Sequence, residues 1–146
     1  MVVSQKETKL MLSDATVKKA LALATKYHKG QTRWGGEPYI THPIRIAEKF
    51  SDMPVLQCIA LLHDVIEDTP CTIQMLEKAG FDADIILAVD ALSKRKKEPY
   101  LDYVLRVKKV IFALPVKLAD LDDNLSDIER GSLRDKYVMA KYILEN

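Results

Sequence analysis

Apolar residues recur at helical spacing along most of the chain. Val17, Leu21 and Ala24 fall on one stripe of a predicted first helix that begins after Ser13, as its N-cap, and ends near His28. No run of residues alternates apolar and polar types in the way that a half-buried strand does. The pattern therefore predicts an all-α protein.

Prolines and capping residues divide the rest of the chain into further helices. Two glycines and a proline in residues 31–41 predict a loop, and the charged residues 93–98 predict a connector. Ser132 with Asp135 resembles a capping box, and Pro115 is expected to separate the sixth helix from the seventh. The remaining helices are expected to start at Pro43, Pro54, Thr72, Asp82 and Pro99.

These elements predict a single-domain bundle of about seven or eight helices. We expect the domain to occupy residues 13–146 and residues 1–12 to form a loosely ordered tail. A length of 146 residues with 48% hydrophobic types suits one domain with a real core.

Composition excludes several classes of function. The chain has 22 Lys and Arg against 21 Asp and Glu, so no global field attracts nucleic acid or an acidic membrane. It has no apolar run of membrane-spanning length and no secretion signal, so we expect a cytoplasmic protein that binds no membrane. Cys58 and Cys71 are expected to be reduced thiols, because neither belongs to a metal-binding or redox motif.

Residues 63–69 carry the strongest indication of chemistry. His63 and Asp64 are adjacent and can both bind one divalent ion. On a continuous helix, Glu67 would share a face with His63, and Asp68 with Asp64. Because apolar neighbours would bury these charges, a metal or partner charges must compensate them. The segment therefore predicts a metal site with two carboxylates that handle water and protons.

Two further residues are candidate ligands. His42 precedes Pro43, which restricts the backbone of His42 and so the direction of its imidazole. Asp120 lies among apolar residues, with Asn124 one helical turn beyond it on the same face. Two His and two Asp suit Mn²⁺, Fe²⁺ or Zn²⁺. The other acids of this segment are interpreted as ordinary surface acids: Asp122, Asp123 and Asp127.

The loop before His42 is a candidate substrate site, and several roles stay open. Arg33 can stack on a base or bind a phosphate, while Trp34 can stack on a base or cover the edge of the core. Tyr39 can reach a ribose or pack in the core. Lys94 begins a basic run that is either a solvated connector or attracts a polyphosphate.

Two more polar residues, His28 and Arg106, are candidates for structural or binding roles. His28 ends the apolar stripe of the first helix, and a structural, hydrogen-bonded role is expected for it. Arg106 either faces the cleft or pairs with a surface acid, and both alternatives stay open. The basic run after Ser93 has no interleaved aromatic residues, so we expect no binding to nucleic acid.

Four segments, taken in order, resemble the HD superfamily of metal-dependent phosphohydrolases. More narrowly, they resemble the hydrolase domain of the RelA/SpoT family. The segments are residues 28–33 (HKGQTR), 36–43 (GEPYITHP), 60–69 (ALLHDVIEDT) and 116–124 (VKLADLDDN). Having this domain alone, the chain resembles the stand-alone small alarmone hydrolases, including the metazoan SpoT homologue.

The resemblance implies an HD-type helical bundle with a defined site. One Mn²⁺ per chain would be bound, with Fe²⁺ or Zn²⁺ as alternatives, by His42, His63, Asp64 and Asp120. The acids that activate water would be Glu67 and Asp68. Arg33 would lie beside the nucleotide's base and Asn124 at its sugar, and we add Trp34 and Lys94 as expected substrate contacts. The implied reaction removes the 3′-pyrophosphate of (p)ppGpp and yields GDP or GTP and pyrophosphate.

Two departures from the family pattern bear on the substrate. The family usually has Lys where this chain has Trp34, and it often has Arg where this chain has Ser126. Both changes remove positive charge near the nucleotide and leave the ligand set intact. Other nucleotide substrates therefore stay open, namely ppApp, the 2′-phosphate of NADPH and a 5′-nucleotide, as does a sensor of low activity. A homo-oligomer also stays open.

Overall fold

The computed structural model describes residues 9–146, and this part of the chain contains helices and no β-strand. An isolated antiparallel bridge joins Thr32 and Pro38 within the loop. The all-α prediction is confirmed. The helices are α1 (Ala15–Tyr27), α2 (Thr41–Glu48), α3 (Pro54–Leu62), α4 (Val65–Asp68), α5 (Ile73–Lys78), α6 (Ala83–Ala91), α7 (Tyr100–Lys108), α8 (Ala113–Asp127) and α9 (Ser132–Glu145).

Helix α3 lies at the centre of the bundle. It begins at Pro54, as predicted, and its last six residues, 57–62, are all buried. A helix that is apolar on every side is stable only when other elements surround it, and α3 packs against α1, α2, α6 and α8. The segment that carries His63 is therefore anchored in the core of the protein.

The end of the predicted tail is held against α3. Leu10 is buried, and the backbone N–H of Met11 donates to Gln57 Oε1 at 2.9 Å. Gln57 Nε2 donates in turn to the carbonyl oxygen of Lys9 at 3.2 Å, which satisfies this fully buried amide. Residues 9–11 thus contact the domain, and residues 1–8 of the predicted tail lie outside the described residues.

Two of the predicted helix caps differ in the structure. Asp14, and not Ser13, caps α1, since its Oδ1 accepts from the backbone N–H of Thr16 and Val17. Ser132 is the first residue of α9 and makes no capping hydrogen bond, so the predicted capping box is wrong. Sequence spacing alone cannot show which residue has the extended backbone that a cap requires.

Pro115 does not separate two helices. It lies in the first turn of α8, where a missing N–H costs no helical hydrogen bond. The break instead falls between Lys108 and Ala113. As a result, α8 is long enough to carry the predicted residues Asp120 and Asn124 on one continuous helix.

The chain bends between α3 and α4, directly at the His-Asp pair. Helix α3 ends at Leu62, and Asp64 precedes the four-residue helix α4. The prediction that one continuous helix aligns His63 with Glu67 is therefore wrong, and α4 raises the number of helices above the expected seven or eight. Asp68 still lies one turn after Asp64, because its N–H donates to the Asp64 carbonyl oxygen at 3.0 Å.

Among residues 9–146, none of the helices combines the length and the apolar character that crossing a bilayer requires.

The central position of α3 predicts a large difference between two leucine substitutions. Leu61 is fully buried in α3, so Leu61→Ala should lower the free energy of unfolding by about 2–5 kcal/mol. The matched control Leu87→Ala removes a side chain that is 57% exposed and should change it by no more than about 0.5 kcal/mol. Urea unfolding measures both values, and similar losses for the two variants would contradict the central role of α3.

Candidate metal centre and active site

Three segments bring four potential metal ligands together. His42 comes from α2, His63 and Asp64 from the bend between α3 and α4, and Asp120 from α8. One ligand atom from each of these residues lies within 4.8 Å of the others. Helix α2 packs against both α3 and α8, which explains why positions far apart in sequence meet here.

The imidazole and carboxylate groups face a common point. His42 Nε2 lies 2.8 Å from Asp120 Oδ1 and 3.9 Å from Asp64 Oδ2. His63 Nε2 lies 2.9 Å from Asp64 Oδ2 and 3.4 Å from Asp120 Oδ1. Two ring nitrogens and two carboxylates therefore surround one small volume, as the sequence predicted.

His63 fits the role of a metal ligand. Its Nδ1–H donates to the carbonyl oxygen of Ala60 at 2.6 Å, which leaves a lone pair on Nε2. The buried Nε2 has no hydrogen-bond partner of acceptable geometry among the described residues. An imidazole nitrogen of this kind, beside carboxylates, forms a mixed N/O set that suits Mn²⁺, Fe²⁺ or Zn²⁺.

Asp123 supports His42 from the side opposite the ligand cluster. His42 Nδ1–H donates to Asp123 Oδ2 at 2.6 Å, and Arg45 donates to both oxygens of the same carboxylate at 2.9 and 3.0 Å. Asp123 is only 8% exposed, so its interpretation as a surface acid is wrong. Its spacing of three residues from Asp120 was the signal for a shared helix face.

Lys117 is a second residue that the sequence analysis missed. Its Nζ lies 2.9 Å from Asp120 Oδ2, and both side chains are almost fully buried. Burial alone would disfavour both charges, but their mutual attraction outweighs it. The pKa of Asp120 is therefore held well below its usual range, and the pKa of Lys117 well above. A spacing of three residues on α8 again carried the signal.

In this cluster, the positive charge can come either from protonated imidazoles or from a bound metal cation. Burial disfavours the charged form of His63, but the neighbouring carboxylates Asp64 and Asp120 outweigh it and raise its pKa well above 6.5. Burial likewise raises the pKa of Asp64, but the charge on His63 outweighs this and lowers it to about 2. Metal binding would displace the imidazole protons, so affinity for a cation should depend on pH.

Two further carboxylates lie in the same cleft, which has a volume of about 220 Å³. Glu67 Oε1 accepts from the backbone N–H of Lys94 at 2.7 Å. Although part of the Asp68 side chain is open to solvent, burial of its carboxyl and the charges on Asp64 and Glu67 raise its pKa to about 7. The cleft is lined by Thr32, Arg33, Trp34, Tyr39, His42, Asp64, Glu67, Asp68, Lys117, Asp120, Asn124 and Tyr137.

The predicted substrate residues are brought together in part. Arg33 is buried and donates to Asn124 Oδ1 at 3.3 Å and to Asp127 Oδ2 at 3.0 Å. Its guanidinium lies 5.1 Å from the ring centroid of Trp34, which is 61% exposed at the mouth of the cleft. Lys94 is not among the lining residues, because its Nζ bonds the Arg95 carbonyl oxygen at 3.2 Å. Its backbone instead holds Glu67.

Three further polar side chains have defined hydrogen-bond partners. The Tyr39 hydroxyl donates to Asp64, so this residue contacts the ligand cluster. His28 is hydrogen-bonded through Nδ1 to Gln31 at 2.9 Å and packs on Tyr39, in line with the structural role expected for it. Arg106 pairs with Glu98 at 2.9 Å and does not line the cleft.

Tyr137, on α9, also lines the cleft and was not predicted. The packing of α9 against α8 brings this tyrosine to the cleft. The local sequence does not distinguish it from the other tyrosines. Its position therefore depends on tertiary structure alone.

The fold is a helical bundle, and a His/Asp cluster lies at the base of its cleft. Together they define the class of the protein as a helical domain with a candidate metal centre. The model of the HD domain family matches residues 20–121, and the chain belongs to that family.

Relatives of known name share this domain. The chain is 37% identical over 132 residues to the bifunctional (p)ppGpp synthase/hydrolase SpoT of Escherichia coli K12, covering 81% of this chain and 18% of that protein. It is 37% identical over 126 residues to the guanosine-3′,5′-bis(diphosphate) 3′-pyrophosphohydrolase of Haemophilus influenzae, covering 77% of this chain and 18% of that protein. The chain thus spans less than a fifth of the length of these relatives.

A solved structure of similar size also matches. It was described as a metazoan ortholog of SpoT that hydrolyzes ppGpp and plays a role in starvation responses. The TM-score is 0.73 and the identity 26%, over 90% of this chain and 84% of the other. The HD-type bundle predicted from sequence is therefore confirmed.

The raised pKa of Asp68 predicts a pH-dependent effect on stability without metal. This group favours the folded state below its unfolded pKa of 3.8, and that contribution is lost as pH rises through about 7. In the presence of a chelator, Asp68→Asn should therefore raise Tm at pH 8 and change it little at pH 4. Thermal unfolding measures the difference, and an equal effect at both pH values would contradict the shift.

Proposed function

We propose that this protein is a metal-dependent phosphohydrolase that removes the 3′-pyrophosphate of guanosine 3′,5′-bis(diphosphate). One observation carries the proposal: four potential ligands converge at the base of a cleft that also holds two carboxylates and an Arg-Asn pair. The names of several relatives support the choice of substrate. Solved structures support it too, since a similar chain is described as hydrolysing ppGpp.

The residues that would hold the cation are His42, His63, Asp64 and Asp120. Mn²⁺ is the proposed ion, with Fe²⁺ and Zn²⁺ as alternatives that the same mixed set can bind. When bound, a divalent cation lowers the pKa of water and polarises the phosphate that is attacked. Tyr39, through its bond to Asp64, and Lys117, through its bond to Asp120, orient the two carboxylates.

Glu67 and Asp68 are the proposed proton carriers. Both line the cleft beside the ligand cluster, and the pKa of each is raised above its usual value, chiefly by burial. Asp68, whose pKa is raised to about 7, can accept a proton from water and return it to a leaving group. The bond from Lys94 N–H to Glu67 Oε1 fixes one oxygen and leaves the other for water.

The nucleotide would lie between the ligand cluster and the mouth of the cleft. Trp34 is exposed there and offers a face on which a base can stack. Asn124 accepts from Arg33 and donates to Asp120 at 3.3 Å, so it connects the substrate loop to the ligand cluster.

The proposed cellular setting is the cytoplasm. The free thiols Cys58 and Cys71 support it, because cysteines stay reduced there.

A second candidate is the hydrolysis of a nucleotide that carries fewer phosphates. Lys117 and Arg33 are the cations that line the cleft, and each is already paired, with Asp120 and Asp127 respectively. A polyphosphate would gain less from these paired cations than from free ones. This observation favours testing NADPH and 5′-nucleotides beside ppGpp, whereas ppApp has as many phosphates as ppGpp and tests the choice of base alone.

A substrate panel tests the proposed reaction. Purified protein with Mn²⁺ should release pyrophosphate from ppGpp, with a higher kcat/KM than for ppApp, NADPH or a 5′-nucleotide. Chromatography of the nucleotide products measures each reaction. Preference for another member of the panel would replace the substrate, whereas no turnover of any member would contradict a phosphohydrolase.

Two substitutions separate metal binding from proton transfer. Asp64→Asn should abolish both Mn²⁺ binding and turnover, because it removes a ligand charge. Glu67→Gln should retain Mn²⁺ and lower kcat by about 10²–10⁴-fold, because the amide cannot accept a proton. Calorimetry and steady-state kinetics measure the two effects, and a Glu67→Gln variant with normal kcat would remove Glu67 from the mechanism.

A further inference from the structure

The contacts of Asp123 point to a role beyond that of an ordinary ion pair. We infer that Asp123, itself held by Arg45, is a positioning residue that fixes the ring orientation and the protonated nitrogen of His42 for a divalent cation. The inference rests on the proposed metal role of His42. Asp123 does not line the cleft, so it would act on the cation through His42, and its Oδ2 also lies 3.7 Å from Arg33 Nη2.

The geometry assigns the protons of the imidazole. His42 is 1% exposed, and its Nδ1 lies 2.6 Å from Asp123 Oδ2. An ionised carboxylate can only accept, so the hydrogen resides on Nδ1. The opposite nitrogen, Nε2, faces Asp64 and Asp120 at 3.9 and 2.8 Å. A neutral His42 in this orientation would present the lone pair of Nε2 to the ligand cluster.

Arg45 holds the carboxylate in place. Its Nε donates to Asp123 Oδ1 and its terminal nitrogen to Oδ2, which is the bidentate geometry typical of strong Arg–carboxylate pairs. Arg45 lies three residues after His42 on α2, so one carboxylate from α8 contacts two neighbouring side chains of the same helix face. The contact therefore fixes α2 against α8 at the position of the proposed ligand.

The network formed by Asp123 and Arg45 also extends toward the loop of residues 31–41. Arg45 donates to Glu37 Oε1 at 3.3 Å, and Glu37 lies 3.7 Å from Arg33 Nε. The side chain of Asp123 is 9% exposed and that of Arg45 36% exposed, so the buried end of the network faces His42. A surface ion pair would not require this burial, which is costly for a carboxylate unless it is well bonded.

Calorimetric titration with Mn²⁺ alone tests the inference on metal-free protein. Asp123→Ala should weaken binding by about 10–100-fold, the loss typical when the partner of a metal-binding His is removed. Asp123→Asn keeps an acceptor oxygen and should lie between Asp123→Ala and the wild type. Arg45→Gln leaves the carboxylate in place and should weaken binding less than Asp123→Ala.

Asp122→Ala is the matched control. Asp122 is the preceding residue of α8, with a side chain 46% exposed and bonded to Lys141 at 2.8 Å, away from the cleft. The variant should bind Mn²⁺ as the wild type does. Thermal unfolding of each metal-free variant checks that folding is retained.

NMR supplies a readout that a merely structural role would not change. In the Zn²⁺-loaded wild type, nitrogen-15 spectra should show a protected proton on Nδ1 of His42. The proton should exchange rapidly in Asp123→Ala. This measurement on the wild type decides the inference even if Asp123 variants do not fold.

The outcomes separate the inference from the proposed function. A wild type that binds neither Mn²⁺ nor Zn²⁺ would contradict the proposed metal centre itself. A wild type that binds metal without a protected Nδ1 proton, or an Asp123→Ala variant that binds as tightly as Asp122→Ala, would overturn the role of Asp123 alone.

Discussion

Repulsion between the partly buried carboxylate of Asp64 and the buried carboxylate of Asp120 is the constraint on which the site depends. Two like charges at such short range are unfavourable in a low-dielectric interior unless positive charge compensates them. Without a metal, protons on His42 and His63 provide that charge, together with the ammonium group of Lys117. A divalent cation would supply the same compensation at one point and would displace the protons on the two Nε2 atoms. Metal binding and protonation of Nε2 are therefore alternative states of one cluster.

The fold supports this arrangement through a bend and a buried helix. Helix α3 is surrounded by other helices, and the chain turns at its end, so that Asp64 lines the cleft beside the buried His63 while Glu67 and Asp68 follow on the short helix α4. Helix α8 contributes Asp120 and its supports. The candidate ligands and the two acids proposed to handle water are therefore held by helices and one short bend, so their geometry does not rely on long loops.

The fold class and the grouping of four candidate ligands were predictable, the first from local periodicity and the second from the His-Asp pair together with the resemblance to a known family. Helical periodicity predicts helices, and an adjacent His and Asp among apolar residues indicates a buried charge that needs compensation. The roles of Asp123 and Lys117 depend on which face of α8 meets α2, and a single sequence does not specify that packing. The bend at His63 was missed for a similar reason, since no Gly or Pro marks it. The sequence does not distinguish the basic residues Arg106 and Lys94 from Arg33. Only the tertiary contacts of each residue show that Arg33 lines the cleft and that the other two do not.

The convergence of four side chains on one cation is the central claim, and anomalous diffraction from a crystal of the protein soaked in Mn²⁺ tests it most directly. The account predicts a single strong peak within coordinating distance of His42 Nε2, His63 Nε2 and the carboxylates of Asp64 and Asp120. A soaked crystal with no peak in the cleft, or with a peak that lacks the imidazole ligands, would contradict it.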